Sequence, residues 1–176
     1  MHRQLDIAVN AAGFLGQVDL YRRYLAATWH AWQPLEVILD ASDAARHYPL
    51  WPQRRLLSSL AADMADLDVT VPVTAARRGK LSVWDTASVM GTLYVLEGSA
   101  LGARILAGRL RNIGMTADFG ARHIAVQTGN PKAWKSFLKI LEATAMTSLE
   151  EDRCISAAQA AFNVFEFHYS RADRKL

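Results

Sequence analysis

Apolar side chains recur along most of this chain with the period of a helix. In residues 18–31, Leu20, Tyr21, Tyr24, Leu25 and Thr28 fall on one stripe, with Asp19 near its start. Pro34 is expected to open a separate helical segment, 34–47, because proline is well tolerated in a first turn. Residues 53–68 carry Leu56, Leu57, Leu60, Met64 and Leu67 on a common face. The pattern breaks over residues 69–81, where valines alternate, but Pro72 and the lack of a partner strand favour an extended connector. A long helix is predicted from Val83 to about Arg111, with Ser82 as its N-cap. Residues 112–120 read as a turn punctuated by Gly114 and Gly120, and Asn130–Pro131 as the N-cap and first turn of the next helix. The last helix places Ile155, Ala158, Phe162, Phe165 and Tyr169 at helical spacing. No repeat or low-complexity linker interrupts the series. The pattern predicts an all-α single domain over residues 1–176, a bundle of six or seven helices.

Composition changes this picture little. At 176 residues, 51% hydrophobic and 21% charged, the chain is long enough for a substantial core. No apolar run approaches the roughly 20 residues that span a bilayer, and the N-terminus does not read as a signal peptide. A cytoplasmic protein without a membrane partner is the expectation. The single cysteine, Cys154, permits neither an internal disulfide nor a cysteine zinc site. The net charge is only +3, and the arginines come in scattered pairs (22–23, 54–55, 77–78) without interleaved aromatics. Nucleic-acid binding is disfavoured, and anionic ligand groups fit the charge equally well.

The long helix contains the most unusual feature. Gly91, Val95, Gly98 and Gly102 fall on one side, with Ser99 at its edge. An interior glycine costs about 1 kcal/mol relative to alanine, so this face needs an explanation. Two are open: close packing of a second helix, or a flat ligand lying against bare backbone, with the helix bent there. Glu97 beside Gly98 reads as a solvated or ion-paired carboxylate rather than a general acid. His30 reads as a core histidine. His47, His123 and His168 fall in turns or near the C-terminus, and no His-x-x-x-His or Glu-x-x-His spacing marks a metal site.

The stretch Tyr94–Leu106, "YVLEGSALGARIL", closely resembles the distal-helix motif of bacterial heme oxygenases, most nearly those encoded beside bacteriophytochromes. The segments "DLYRRYLAATWHAWQPLE", "RRLLSSLAADMADL", "AWKSFLKILE" and "AAQAAFNVFEFH" resemble other helices of that family, so the likeness covers nearly the whole chain. The resemblance implies a heme-oxygenase-like helical bundle whose distal helix is kinked over heme. It puts Gly98, Ser99 and Gly102 in the catalytic positions, with Ala103 where some members have glycine and Tyr94 near the heme edge and a propionate. Taken alone, Tyr94 reads equally as a core aromatic.

The family's proximal segment reads His-x-x-Leu-Asp, and the chain begins "MHRQLD". The resemblance therefore makes His2 the heme-iron ligand. Asp6, at i+4, shares its face and can accept the other ring N–H, fixing the tautomer. Only Met1 precedes His2, where family members carry a longer stretch. Either a natural start lies upstream, or heme is held weakly or not at all. The implied activity is cleavage of heme to biliverdin, CO and iron, using O2 and electrons from an external donor such as a ferredoxin or reductase. A bacteriophytochrome is the implied acceptor of the biliverdin. The rival reading is a homologue that binds heme, a bilin or a protein partner without turnover. A thiaminase-type helical enzyme is disfavoured, because lone Cys154 has no acidic constellation around it.

Overall fold

The computed structural model of the chain describes residues 16–70 and 85–173. Eight helical segments run through them: α1 (Val18–Asp40), α2 (Ala44–His47), α3 (Trp51–Arg54), α4 (Leu57–Asp66), α5 (Thr86–Arg111), α6 (Arg122–Thr128), α7 (Ala133–Ala143) and α8 (Ser148–Asp173). No strand occurs among the described residues, and isolated bridges appear in the turn around Thr116–Gly120. The all-α expectation holds, with α2 and α3 as extra single turns.

The α5 helix is the spine. It packs most extensively on α8 and also touches α2, α6 and α7. By length and hydropathy alone α5 is apolar enough to cross a bilayer, contrary to the reading of the sequence, but most of its apolar window is buried against the other helices. Its N-cap is Asp85 rather than Ser82: the Asp85 carboxylate accepts the Ser88 amide at 2.8 Å. That bond holds the Asp85 carboxyl below its usual range.

The Gly91 position decides one part of the glycine question. A Cβ built there would lie 2.0 Å from the carbonyl oxygen of Cys154, so α5 and α8 meet backbone to backbone. Close helix packing accounts for this glycine.

The α1 helix runs unbroken through Pro34, which therefore does not open a new helix. Proline lacks an amide, leaving the His30 carbonyl without its i+4 donor, at a cost of about 3 kcal/mol in a helix interior. Burial on both sides offsets it, since Trp32, Leu35 and Leu39 continue the stripe of Tyr21, Tyr24, Leu25 and Thr28. Tyr24 stacks between Tyr21 and Tyr169 at 5.7 Å to each ring, and Trp32 meets Phe165 edge-on at 5.9 Å. Of the residues expected on the inner face of α8, Phe162, Phe165 and Tyr169 are buried, whereas Ile155 is 57% exposed because it turns away from α5 and α1. The Leu56, Leu60, Met64 and Leu67 face is buried as expected, with Leu57 half-buried. The α7 helix begins two residues later than expected, with Lys132 as N-cap, while Asn130 Oδ1 accepts the Lys132 amide at 3.0 Å.

A buried carboxylate fixes the start of α4. Glu36 Oε2 accepts the Trp32 indole N–H at 2.8 Å and the Leu56 and Leu57 amides at 2.7 and 3.2 Å, closing the otherwise open amides of that helix end. Burial raises the pKa of the Glu36 carboxyl above its usual value, while these donors oppose the shift. The turn after α5 has Gly114 and Gly120 at φ +82° and +71°, in line with their expected role as punctuation. Gly120 is constrained further: its carbonyl accepts the Tyr21 hydroxyl at 2.6 Å, its amide donates to Asp66 at 2.8 Å, and a Cβ there would lie 2.4 Å from the Met115 sulfur. The connector predicted for 69–81 lies, beyond its first two residues, outside the described residues.

Gly91→Ala is expected to destabilise the fold by roughly 3 kcal/mol or more, since backbone, not a flexible side chain, occupies the space of the new methyl. Urea denaturation followed by circular dichroism measures this, and a loss within about 0.5 kcal/mol of zero overturns it. A second expectation concerns pH. His168 stacks on His30 at 5.5 Å, and burial, then the charges of His30 and Arg171, hold its ionisation below the usual value. The unfolded chain therefore takes up this proton more readily, so stability falls as pH drops through about 6.5 and levels off below the folded value. His168→Phe keeps the stacking and is expected to flatten that part of the stability–pH curve.

Candidate functional site

The sequence-predicted residues of the glycine face lie together in the middle of α5. Tyr94, Gly98 and Gly102 follow one another at i, i+4 and i+8. Gly98 and Ala103 are buried, whereas Ser99 and Gly102 are half-buried. Tyr94 is half-buried with its ring 5.3 Å from that of Trp134 on α7, so it is at least a packed aromatic. The helix is continuous from Thr86 to Arg111. His2 and Asp6 lie outside the described residues.

The two residues flanking Gly98 are both fastened to α6. Glu97, 2% exposed, accepts the Arg54 Nε–H at 2.7 Å. The same guanidinium donates to the carbonyls of Val126 at 2.8 Å and Gln127 at 3.2 Å. On the other side of Gly98, the Ser99 hydroxyl donates to the Leu96 carbonyl at 2.6 Å and accepts the Gln127 side-chain amide at 2.9 Å. The link thus runs from Glu97 through Arg54 and Gln127 back to Ser99, with Gly98 between its ends.

The opposite end of α6 is held just as firmly. Asp63 of α4, fully buried, accepts the Arg122 amide at 2.8 Å, the His123 amide at 2.9 Å and the His123 Nδ1–H at 2.7 Å. Asp66 pairs with the Arg122 guanidinium, which keeps the Asp66 carboxyl below its usual range. A negative charge sits on the amides of the first turn of α6 and a positive charge on the carbonyls of the last, which is the favourable sense for the helix dipole. His123 is not in a turn but inside this helix, and its Nε2 is buried without a partner.

Around the ion pair two further polar atoms lack a partner in normal hydrogen-bond geometry, Glu97 Oε2 and the Tyr48 hydroxyl. Burial first, and then the nearby Glu97 charge, push the pKa of the Tyr48 hydroxyl well above its usual value. Glu97 is therefore an ion-paired carboxylate, as one of its two expected states, and not a solvated one.

No local pattern marks Arg54, Gln127, Asp63 or His123 as support for this face. Arg54 stands out in the sequence only as half of an Arg–Arg pair. Its partners are 43 to 73 residues away, beyond any helical period.

Arg54→Met leaves Glu97 buried and unpaired, and is expected to cost about 3–5 kcal/mol. The double variant Arg54→Met/Glu97→Leu removes the stranded charge and is expected to recover a large part of that loss. Denaturant unfolding of the parent, the two single variants and the double variant measures the coupling. A double-variant loss equal to the sum of the two single losses would mean that the pair is not a unit.

Comparison with known proteins agrees with this architecture and with the motif. The heme oxygenase family model matches residues 1–169. The heme oxygenase PigA of Pseudomonas aeruginosa is 32% identical over 167 residues, covering 93% of this chain and 83% of that protein. A heme oxygenase of Xanthomonas campestris pv. campestris is 29% identical over 119 residues, 65% of this chain and 67% of the relative. Among solved structures, the NO- and CO-bound heme oxygenase of Neisseria meningitidis has the same fold, with a TM-score of 0.72 at 20% identity over 98% of this chain and 91% of the other. With a family model matching from residue 1 to residue 169 and a relative 32% identical over most of both chains, this chain belongs to the heme oxygenase family.

Proposed function

We propose that this chain is a working heme oxygenase, opening heme to biliverdin, CO and iron with O2 and electrons from an external donor. The observation that carries the reading is the bare strip of α5 at Gly98 and Gly102, flanked on both sides of Gly98 by residues tied to a buried support. When bound, heme is the substrate and also supplies the iron that activates O2.

The residues present fit a flat macrocycle on this face. Positions 98 and 102 carry no side chain and position 103 only a methyl, so none of these positions puts a bulky group between a planar ring and the helix backbone. Gly91, on the same side but two turns earlier, is used for contact with α8, so the two explanations of the glycine face divide it between them. Ser99 is the polar group beside the approach, and Tyr94 flanks it one turn before Gly98. A bend at Gly98–Gly102 belongs to the same proposal. The Ser99 bond to the Leu96 carbonyl supports it, because serine hydroxyls that bond back to the helix tend to bend it.

His2 is proposed as the proximal ligand, with Asp6 orienting its ring. The support is the HRQLD spacing and the reach of the family match to residue 1. Electrons from a ferredoxin or reductase, transfer of biliverdin to a bacteriophytochrome, and a cytoplasmic site of action are part of the proposal and rest on the motif resemblance alone.

Gly98→Leu and Gly102→Leu put a branched side chain where the macrocycle would lie. Both are expected to weaken hemin binding at least about tenfold, equivalent to roughly 1.4 kcal/mol, with the helical circular dichroism kept. A hemin titration with the parent's affinity in both variants would remove heme from this face. His2→Ala is expected to abolish the histidine-ligated absorption spectrum and biliverdin release, with added imidazole restoring part of the spectrum. If His2→Ala degrades heme like the parent, the ligand is another residue.

A further inference from the structure

We propose that Gln127 is a positioning residue that fixes the polarity of the Ser99 hydroxyl, making Ser99 an acceptor rather than a proton donor toward the glycine face. The inference rests on the heme reading of that face.

A serine hydroxyl has one proton and two lone pairs. The Leu96 carbonyl can only accept, so at 2.6 Å the Ser99 proton is committed to it. Gln127 at 2.9 Å must then present its amide N–H, not its oxygen, to Ser99 Oγ. One lone pair remains. Whatever solvent or ligand proton meets Ser99 from the open side can only be accepted by it.

Gln127 can impose this because it cannot move freely. Its side chain is largely buried, and its own carbonyl is gripped by Arg54. Arg54 is itself bound to Glu97, two residues before Ser99. The donor to Ser99 and the backbone carrying Ser99 are therefore referenced to one guanidinium. Without the Gln127 amide, the Oγ would have two open lone pairs and its rotor a weaker reason to stay on Leu96. A serine at position 99 beside an apolar residue at 127 would thus be a different group from the one in this protein.

The test uses the full chain with Gln127→Met, which keeps length and volume but removes the donor, with Ser99→Ala, and with the double variant. Two readouts are taken. In the heme-free proteins, thermal unfolding is expected to show coupling: Ser99→Ala lowers Tm less in the Gln127→Met background than in the parent, because the bond it removes is already gone. In the hemin complexes, the acid–alkaline transition seen by visible absorption is expected to shift in Gln127→Met by about half a pH unit, roughly a threefold change in that equilibrium. The double variant is expected to match Ser99→Ala alone, and hemin affinity to stay within about threefold of the parent.

Strict additivity of the two substitutions in both readouts, or a hemin complex of Gln127→Met with the parent's transition, would overturn the assignment. A merely structural glutamine would lower Tm and leave the transition in place. A parent that forms no hemin complex would instead overturn the heme reading itself, and the heme-free coupling would still report whether the Gln127–Ser99 link exists.

Discussion

A helix of seven residues cannot hold itself together in water, because too few hydrogen bonds offset the cost of its first turn. The α6 helix is such a helix, and it exists here because charges buried in other helices close both of its ends. Asp63 takes the amides of the first turn and Arg54 takes the carbonyls of the last. Each carries the sign the helix dipole favours, and each is buried, where water screens little. The glycine strip of α5 depends on this arrangement. Glu97 and Ser99, on either side of Gly98, make their polar contacts to Arg54 and Gln127.

The buried ion pair is better understood as a device for placement than as a source of stability. Desolvating a guanidinium and a carboxylate costs several kcal/mol for each, and their attraction repays this only when the remaining polar atoms are satisfied. Arg54 meets that condition with four bonds, whereas the second Glu97 oxygen has only the Tyr48 hydroxyl near it, outside normal hydrogen-bond geometry. An apolar pair of the same volume would hold α3 against α5 at less cost. It would not fix the direction of the α6 carbonyls, nor, through them, the position of Gln127.

Most of the helices were legible in the sequence, because burying one face leaves a stripe at i, i+3 and i+4. Tyr21, Tyr24, Leu25 and Thr28 announce α1, and Leu56, Leu60 and Met64 announce α4. Gly114 and Gly120 were legible because a positive φ selects glycine. Pro34 misled for the opposite reason: the local cost of a proline inside a helix is overruled by burial of Trp32, Leu35 and Leu39, which is a tertiary effect. The glycine face itself was legible, but not that Gly91 serves packing. That depends on the path of α8 some 60 residues later. The polar support was hidden for the same reason. Asp63 and His123 are 60 positions apart and Arg54 and Gln127 are 73 apart, and no local pattern connects them.

The bulk of the helix content and the support of Ser99 rest on different contacts. Closing a loop of some sixty residues carries an entropic cost that local helix formation does not, and α6 needs two such closures before either of its ends is satisfied. The α1, α5 and α8 helices can form and dock on apolar surface alone. The chain can therefore regain nearly all of its helical signal while α6 is still unformed and Ser99 still lacks its partner. A circular dichroism signal near the native value therefore does not report that the ligand-facing surface is in place.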